Sequence, residues 1–203
     1  MEKFNKKKLS ESSKKWLRRS KGDIFTYEAQ INNLPCRSYF KLEEIHKKYK
    51  IIYKDIKVLD LGSSPGGWSK YLTKHTKNID ACDLLDTMTV DVNKFVLGDF
   101  TNPIIQEEFT TYNLIISDIA MNATGNKWMD QCNNNNLAEE VFEFMKNHLI
   151  KNGHFVIKLF ESEYTHEYVN NTRKHFKEVY KFKPESSYKD SSEIYLIGKY
   201  YIN

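Results

Sequence analysis

Residues 58–72 read VLDLGSSPGGWSKYL. An apolar run containing Asp60 leads into a turn through Gly62, Ser63, Ser64, Pro65, Gly66 and Gly67, and a helical pattern follows. Glycines there let the backbone turn sharply and approach a ligand closely. Asp83 ends the next apolar run, 21 residues after Gly62, and Asp99 ends the run after that. Carboxylates at strand ends can accept hydrogen bonds from ribose hydroxyls. The chemistry on offer is capture of an adenosine-containing ligand.

Two ligand classes use such a turn. A dinucleotide site wants G-x-G-x-x-G, with pyrophosphate at a helix N-terminus. This turn has G-x-x-x-G-G instead. S-adenosylmethionine (SAM) has no pyrophosphate and needs acidic and polar groups for its ribose, amino group and adenine, so the strand-end carboxylates favour it. Lys158, in the middle of the apolar run HFVIKLF, is out of place in a buried strand and points to a function.

The elements that must position these residues alternate. Strands are expected at 57–61, 79–84, 94–100, 112–118, 154–160, 177–183 and 192–201, with helices at 38–49, 67–76, 137–150 and 164–175. Ser38 is the expected cap of the helix that opens SYFKLEEIHKKY, and the NNNN tract at 133–136 reads as an exposed loop. The βαβ rhythm predicts an α/β, mostly parallel sheet of about seven strands with helices on both faces. The last connection is too short for a parallel crossover, so the final strand should run antiparallel. Residues 1–22 read as a basic, loosely ordered extension with a possible amphipathic helix at 11–20, and 23–203 as one domain.

The chain has 203 residues and a net charge of +4. Residues 1–57 hold 16 Lys/Arg and 7 Asp/Glu, and the remainder holds 15 against 20. A basic front on an acidic body fits a polyanionic partner. Three cysteines and six scattered histidines lack metal-ligand spacing, so no metal is expected and a reducing, intracellular setting is. No apolar run approaches the ~18 residues of a membrane span.

The segments RSYFKLEEI, DLGSSPGGWSKYL, ACDLLD, LGDFTN, SDIAMNATG, GHFVIKLFES and KPESSYKDSSEIYLIG occur in one order. Together they resemble the FtsJ/RrmJ family of ribose 2′-O-methyltransferases. The resemblance implies a Rossmann-like SAM-dependent methyltransferase fold and a catalytic tetrad at Lys41, Asp118, Lys158 and Glu193. The expected cofactor-binding set is Gly62, Ser64, Pro65, Gly66, Gly67, Trp68, Asp83, Leu84, Asp99, Phe100 and Asp118. In the implied reaction a ribose hydroxyl attacks the sulfonium methyl in line, so alignment dominates. The hydroxyl must also lose a proton. A free lysine, with a pKa of about 10.4, is neutral in only about one molecule in a thousand near pH 7.4. Lys158 as base therefore needs help to shed its proton. Cationic Lys41 and the sulfonium push that way; Asp118 pushes the other way, and its expected task is orientation.

The family commonly has Ala-Ala where Ser63 and Ser64 stand, and proline where Met121 stands. The resemblance is strongest to the branch acting on a uridine of large-subunit ribosomal RNA, with a monomeric enzyme that meets its RNA inside the large ribosomal subunit. That branch implies a mitochondrial location in a eukaryote and a cytoplasmic one otherwise. A tRNA ribose methyltransferase and a catalytically silent RNA-binding protein are the alternatives.

Overall fold

A computed structural model describes residues 23–120 and 127–202; the readings made for 1–22 and Met121 lie outside them. Two helices open the described chain, α1 (Ile24–Ile31) and α2 (Ser38–Tyr49). Then come β1 (Val58–Leu61), α3 (Gly67–Leu72), β2 (Ile79–Asp83), β3 (Lys94–Leu97), α4 (Pro103–Gln106) and β4 (Tyr112–Ser117). The chain ends with α5 (Lys127–His148), β5 (Leu149–Phe160), α6 (Thr165–Arg173), β6 (Phe176–Phe182) and β7 (Glu193–Tyr201). The seven strands form one sheet in the order β3-β2-β1-β4-β5-β7-β6. Strands β1 to β5 pair in parallel; β7 runs antiparallel between β5 and β6. The expected mixed sheet and antiparallel last strand are both present.

Each strand sends alternate residues to opposite faces. Val58, Leu114, Ile116, Val156, Tyr195 and Ile197 join Leu42 and Ile45 of α2 and Trp68 and Leu72 of α3 in one core. Leu59, Ile115, Phe155, Ile157 and Leu196 join Val141, Phe142 and Met145 of α5 and Tyr168 of α6 in the other. The sheet is thus covered on both faces, and the parity of a strand position decides which core it enters.

Local expectations needed correction at several points. The NNNN tract is not a loop but lies inside α5. Ala138, Val141, Phe142 and Met145 are buried at helical spacing, and that burial outweighs the weak helix propensity of asparagine, about 0.7 kcal/mol or less per residue. Second, α5 stops at His148, because Leu149 and Ile150 already belong to β5. Third, Ser38 does not cap α2. Arg37 occupies the cap position without a side-chain bond, and the Ser38 hydroxyl pairs with Cys36 Sγ at 2.9 Å. Strands β2 and β3 also end earlier than expected, at Asp83 and Leu97, because the chain bends away from the sheet there.

Candidate active site

Strand parity assembles the site. Lys158 lies two residues beyond Val156, Asp118 two beyond Ile116, and Glu193 two before Tyr195, so all three share the face covered by α2 and α3. Register does the rest: Lys158 pairs with Tyr195 across β5 and β7, and Phe160 pairs with Glu193. From above, α2 delivers Lys41, whose neighbours Leu42 and Ile45 are fully buried.

The four side chains meet. Lys158 Nζ lies 3.2 Å from Asp118 Oδ1 and also donates to the Asp118 backbone carbonyl. Lys41 Nζ lies 2.7 Å from Glu193 Oε1 and 4.0 Å from Asp118 Oδ1. Tyr195 Oη donates to Asp118 Oδ1 at 2.6 Å, and Ser187 Oγ donates to Glu193 Oε1 at 2.7 Å. Lys41 is 9% exposed, which removes any reading of it as a surface lysine on an amphipathic helix. Burial disfavours its charge, but Asp118 and Glu193 outweigh that and raise its pKa above 10.5. Burial likewise works against the Asp118 carboxylate, yet Lys158, Lys41 and the Tyr195 hydroxyl hold it below the ordinary range. Burial first, then the Asp118 and Glu193 charges, push the Tyr195 hydroxyl well above 10, so it stays a donor.

The glycine turn sits beside this net, at the C-terminal end of β1. Gly62 has φ +74° and Gly66 φ +107°. A side chain on Gly66 would strike Val90 and Met88, and one on Gly62 would strike Ile119, so both positions need glycine for space and for conformation. Asp83 braces the turn: its two oxygens accept from the backbone of Ser64 at 2.9 Å and of Leu85 at 2.8 Å. Ser64 Oγ donates to Leu85 carbonyl at 2.7 Å, and Thr89 Oγ1 to the Pro65 carbonyl at 2.8 Å, which ties the 84–90 segment to the turn.

Beneath the turn lies Asp60, 1% exposed. Ser69 Oγ donates to its Oδ2 at 2.7 Å, while Oδ1 is buried with no partner. Burial pushes its pKa to about 7, with the charges of Asp118 and Asp83 adding to the rise. Three carboxylates from β1, β2 and the end of β4 thus face one region, one of them with an unmet acceptor. Such an acceptor set fits a ligand that brings hydroxyls and positive charge, and SAM carries a ribose, an ammonium and a sulfonium.

Other members of the expected cofactor set lie in different settings. Trp68 is 2% exposed; its ring packs 5.7 Å from Tyr195 and its Nε1 donates to the Ser38 carbonyl at 2.9 Å. Gly67 fits against Ser38 and Cys36. Leu84 is exposed just past Asp83. The Asp99 carboxylate is exposed and accepts from Thr101 N and Oγ1, a local turn bond, while Phe100 packs edge-on against Phe144 in the opposite core.

Sequence reasoning missed the support around the tetrad. Tyr195 was legible in principle, since Glu193 and Tyr195 stand two apart in one strand. Glu44 and Arg37 were not. Glu44 Oε2 accepts from Glu185 N at 2.7 Å and Oε1 from Ser186 N at 3.0 Å. The Arg37 guanidinium lies 3.7 Å over the Tyr188 ring, donates to the Ser186 carbonyl and pairs with Asp23 at 3.1 Å.

A seven-stranded sheet with its last strand antiparallel, a glycine turn after β1 and a buried lysine–carboxylate net beside it define a Rossmann-like methyltransferase. The comparisons sharpen the class. A model of the FtsJ-like methyltransferase family matches residues 34–201. The ribosomal RNA large subunit methyltransferase E of Pelagibacter ubique is 37% identical over 199 residues, covering 95% of this chain and 98% of that relative. Its namesake in Francisella tularensis subsp. holarctica is 37% identical over 197 residues, covering 92% and 95%. A solved structure from Plasmodium falciparum, described as a ribosomal RNA methyltransferase, has a TM-score of 0.73 at 26% identity and covers 83% of this chain and 99% of that one. The chain belongs to the FtsJ-like methyltransferase family.

Proposed function

We propose that this protein methylates a ribose 2′-hydroxyl of large-subunit ribosomal RNA, with SAM as donor and a uridine as target. The observation that carries the reading is the Lys158–Asp118–Lys41–Glu193 net, buried beside a glycine turn lined by carboxylates. The names of the relatives support the choice of RNA.

In this reading Asp83 and the turn through Gly66 hold the ribose of the donor, and Asp118 and Asp60 face its positive end. Bound SAM supplies an electrophilic methyl on a sulfonium. Lys158 gives two of its N–H directions to Asp118, to the carboxylate and to the backbone carbonyl. Its remaining direction is therefore fixed in space. In the neutral amine, reached by loss of a proton to solvent that cationic Lys41 favours, that direction carries the lone pair. It takes the proton of the 2′-hydroxyl, which leaves an ammonium paired with Asp118, and fixing it beforehand is the orientation that an in-line displacement needs. Lys41 stays cationic against Glu193. It stabilises negative charge developing on the attacking oxygen. Tyr195 keeps Asp118 from turning away from Lys158.

The basic excess of residues 1–57 lies in the stretch of sequence that also holds Lys41, and it supports a polyanionic substrate. In the same reading the protein acts as a monomer and relies on the assembled subunit for positioning. Methyl transfer from labelled SAM to intact large subunits, free rRNA and tRNA in parallel tests this. Label in the large subunit is expected. Label confined to tRNA would move the protein to the other substrate, and SAM binding with no transfer to any RNA would leave a binding module.

A further inference from the structure

Between Glu44 and Asp80 the chain carries eight lysines and two acidic residues, Asp55 and the buried Asp60. From residue 79 onward the balance is reversed, with 12 Lys/Arg against 19 Asp/Glu. A lysine-rich composition would add lysines throughout; it would not thin the acids in one stretch. The fold gathers this stretch where α2 and α3 end, on the layer that covers the tetrad's face of the sheet. The rings of His46 and His75 lie 5.0 Å apart, so the last turn of α2 meets the chain just past α3. Thr76 Oγ1 donates to the Ile56 carbonyl at 2.8 Å and Asn78 Nδ2 to the Asp55 carbonyl at 3.3 Å, which joins the 50–57 and 73–78 connections.

Half of the lysines are engaged within the fold. Lys47 pairs with Glu43 at 3.0 Å, and Lys57 donates to the Thr110 hydroxyl. Lys48 Nζ lies 4.5 Å over the Phe182 ring and Lys74 Nζ 5.0 Å over the Tyr39 ring. Lys50, Lys54, Lys70 and Lys77 are exposed, and their ammonium groups take no ion pair, hydrogen bond or ring contact among the described residues. The fold does not use these four charges, and like charges on one surface repel each other. Their field reaches the imidazoles between them: burial first, then His75 and Lys50, lower the His46 pKa to about 4. Exposed lysines bind phosphate as point charges and read no sequence.

We propose that Lys50, Lys54, Lys70 and Lys77 form a phosphate-binding surface that grips the backbone of large-subunit RNA away from the reacting ribose. At about 1.5 Å of rise per residue, the last turn of α2 lies about 12 Å along the helix from Lys41. The surface therefore captures the substrate and takes no part in the chemistry. The proposal rests on the RNA-methyltransferase reading above and adds a second place of contact.

In a surface variant Lys50, Lys54, Lys70 and Lys77 are changed together to alanine; in a control variant of equal charge the exposed Lys151, Lys174, Lys177 and Lys181 are changed instead. Both are compared with wild type in methyl transfer from labelled SAM to large subunits. Filter binding of subunits and of protein-free large-subunit rRNA is measured over a range of salt concentrations. Each phosphate contact contributes about 0.7–0.9 to the slope of log Kd against log salt. The surface variant should lose about 3 from that slope on both ligands, and its KM for subunits should rise by about tenfold or more. Its kcat at saturating subunits and its Kd for SAM should be unchanged, and the control should stay close to wild type. Unchanged slope and KM in the surface variant, or an equal loss in the control, would overturn the surface and leave the methyltransferase reading standing. A loss of slope on subunits that is absent on bare rRNA would overturn it in favour of an acidic ribosomal protein. If wild type neither binds nor methylates large-subunit RNA, the reading and the surface fall together.

Discussion

Lys41 and Glu44 stand three residues apart on α2 and grip the same loop at two points. Lys41 binds Glu193 at its far end, and Glu44 takes the backbone amides of Glu185 and Ser186 near its start. Between them Ser187 bonds Glu193. The result is a closed ring from helix to loop to strand and back, which holds the Lys41–Glu193 pair in place without any covalent link.

Glu44 is therefore a positioning residue. Glu44→Ala removes two bonds to charged oxygen, each worth about 1.5–3 kcal/mol. A fall in kcat of about tenfold is expected, with KM for SAM little changed and faster amide exchange at Glu185 and Ser186. Unchanged exchange at those amides would show that the loop holds itself.

Lys158→Ala should reduce methyl transfer by about 10²–10⁴-fold, the usual contribution of a placed base. SAM affinity should stay near wild type while the melting temperature falls, because the variant strips the nearly buried Asp118 carboxylate of its nearest ammonium. Full transfer by this variant would remove Lys158 from the mechanism.

Tyr195→Phe deletes the donor to Asp118 and keeps the ring that packs on Trp68. The net loses about 1–3 kcal/mol of hydrogen bonding to a carboxylate. Transfer should drop by about tenfold in single-turnover experiments, and the Asp118 titration should move up toward the ordinary carboxylate range by NMR.

The charged net sets its own pH window. Asp118 titrates below 3.8 in the fold, so its stabilisation is present above that value and lost as pH falls through the lowered one. Lys41 titrates above 10.5, so its stabilisation is present below 10.5 and lost as pH rises through the raised value. The stability difference between wild type and Asp118→Asn should thus be constant through neutral pH and shrink below about pH 4. Thermal melts across pH 3–8 would check it.

Asp60 behaves in the opposite sense. Its folded pKa of about 7 lies above 3.8, so stability declines as pH rises between those values. At about 1.4 kcal/mol per unit this reaches on the order of 4 kcal/mol. Asp60→Asn, able to keep the Ser69 bond, should melt higher than wild type at pH 8 in the absence of SAM, with the gap closing toward pH 4. The same variant should bind SAM less tightly by calorimetry. A gap that does not change with pH would remove burial of charge as its cause.

Much of the fold was readable from local pattern. Short apolar runs alternating with helical periods dictate a parallel sheet, and a short last connection dictates an antiparallel partner. Asn133 to Asn136 show where such reading stops. Their composition favours a loop, yet the buried stripe that follows draws them into α5. Ser38 shows it again, since its hydroxyl has Cys36 within reach and does not turn back to the helix.

For the site, the family resemblance carried by the ordered motifs singled out Lys41, Asp118, Lys158 and Glu193; of the four, Lys158 alone stands out by itself, as a charge inside an apolar strand. The sequence also determined which strand faces these residues could share, since parity is a property of the chain alone. Only the tertiary structure decided who holds them. Tyr195, Ser187 and Glu44 reach the net through β5–β7 register and the docking of α2 on the sheet. Those include contacts between residues as many as 142 positions apart, as Glu44 and Ser186 are. Nothing local to either residue encodes such a pairing. It follows from burying Leu42 and Ile45 against the sheet, which leaves Lys41 and Glu44 nowhere to point but at the active face and its loop.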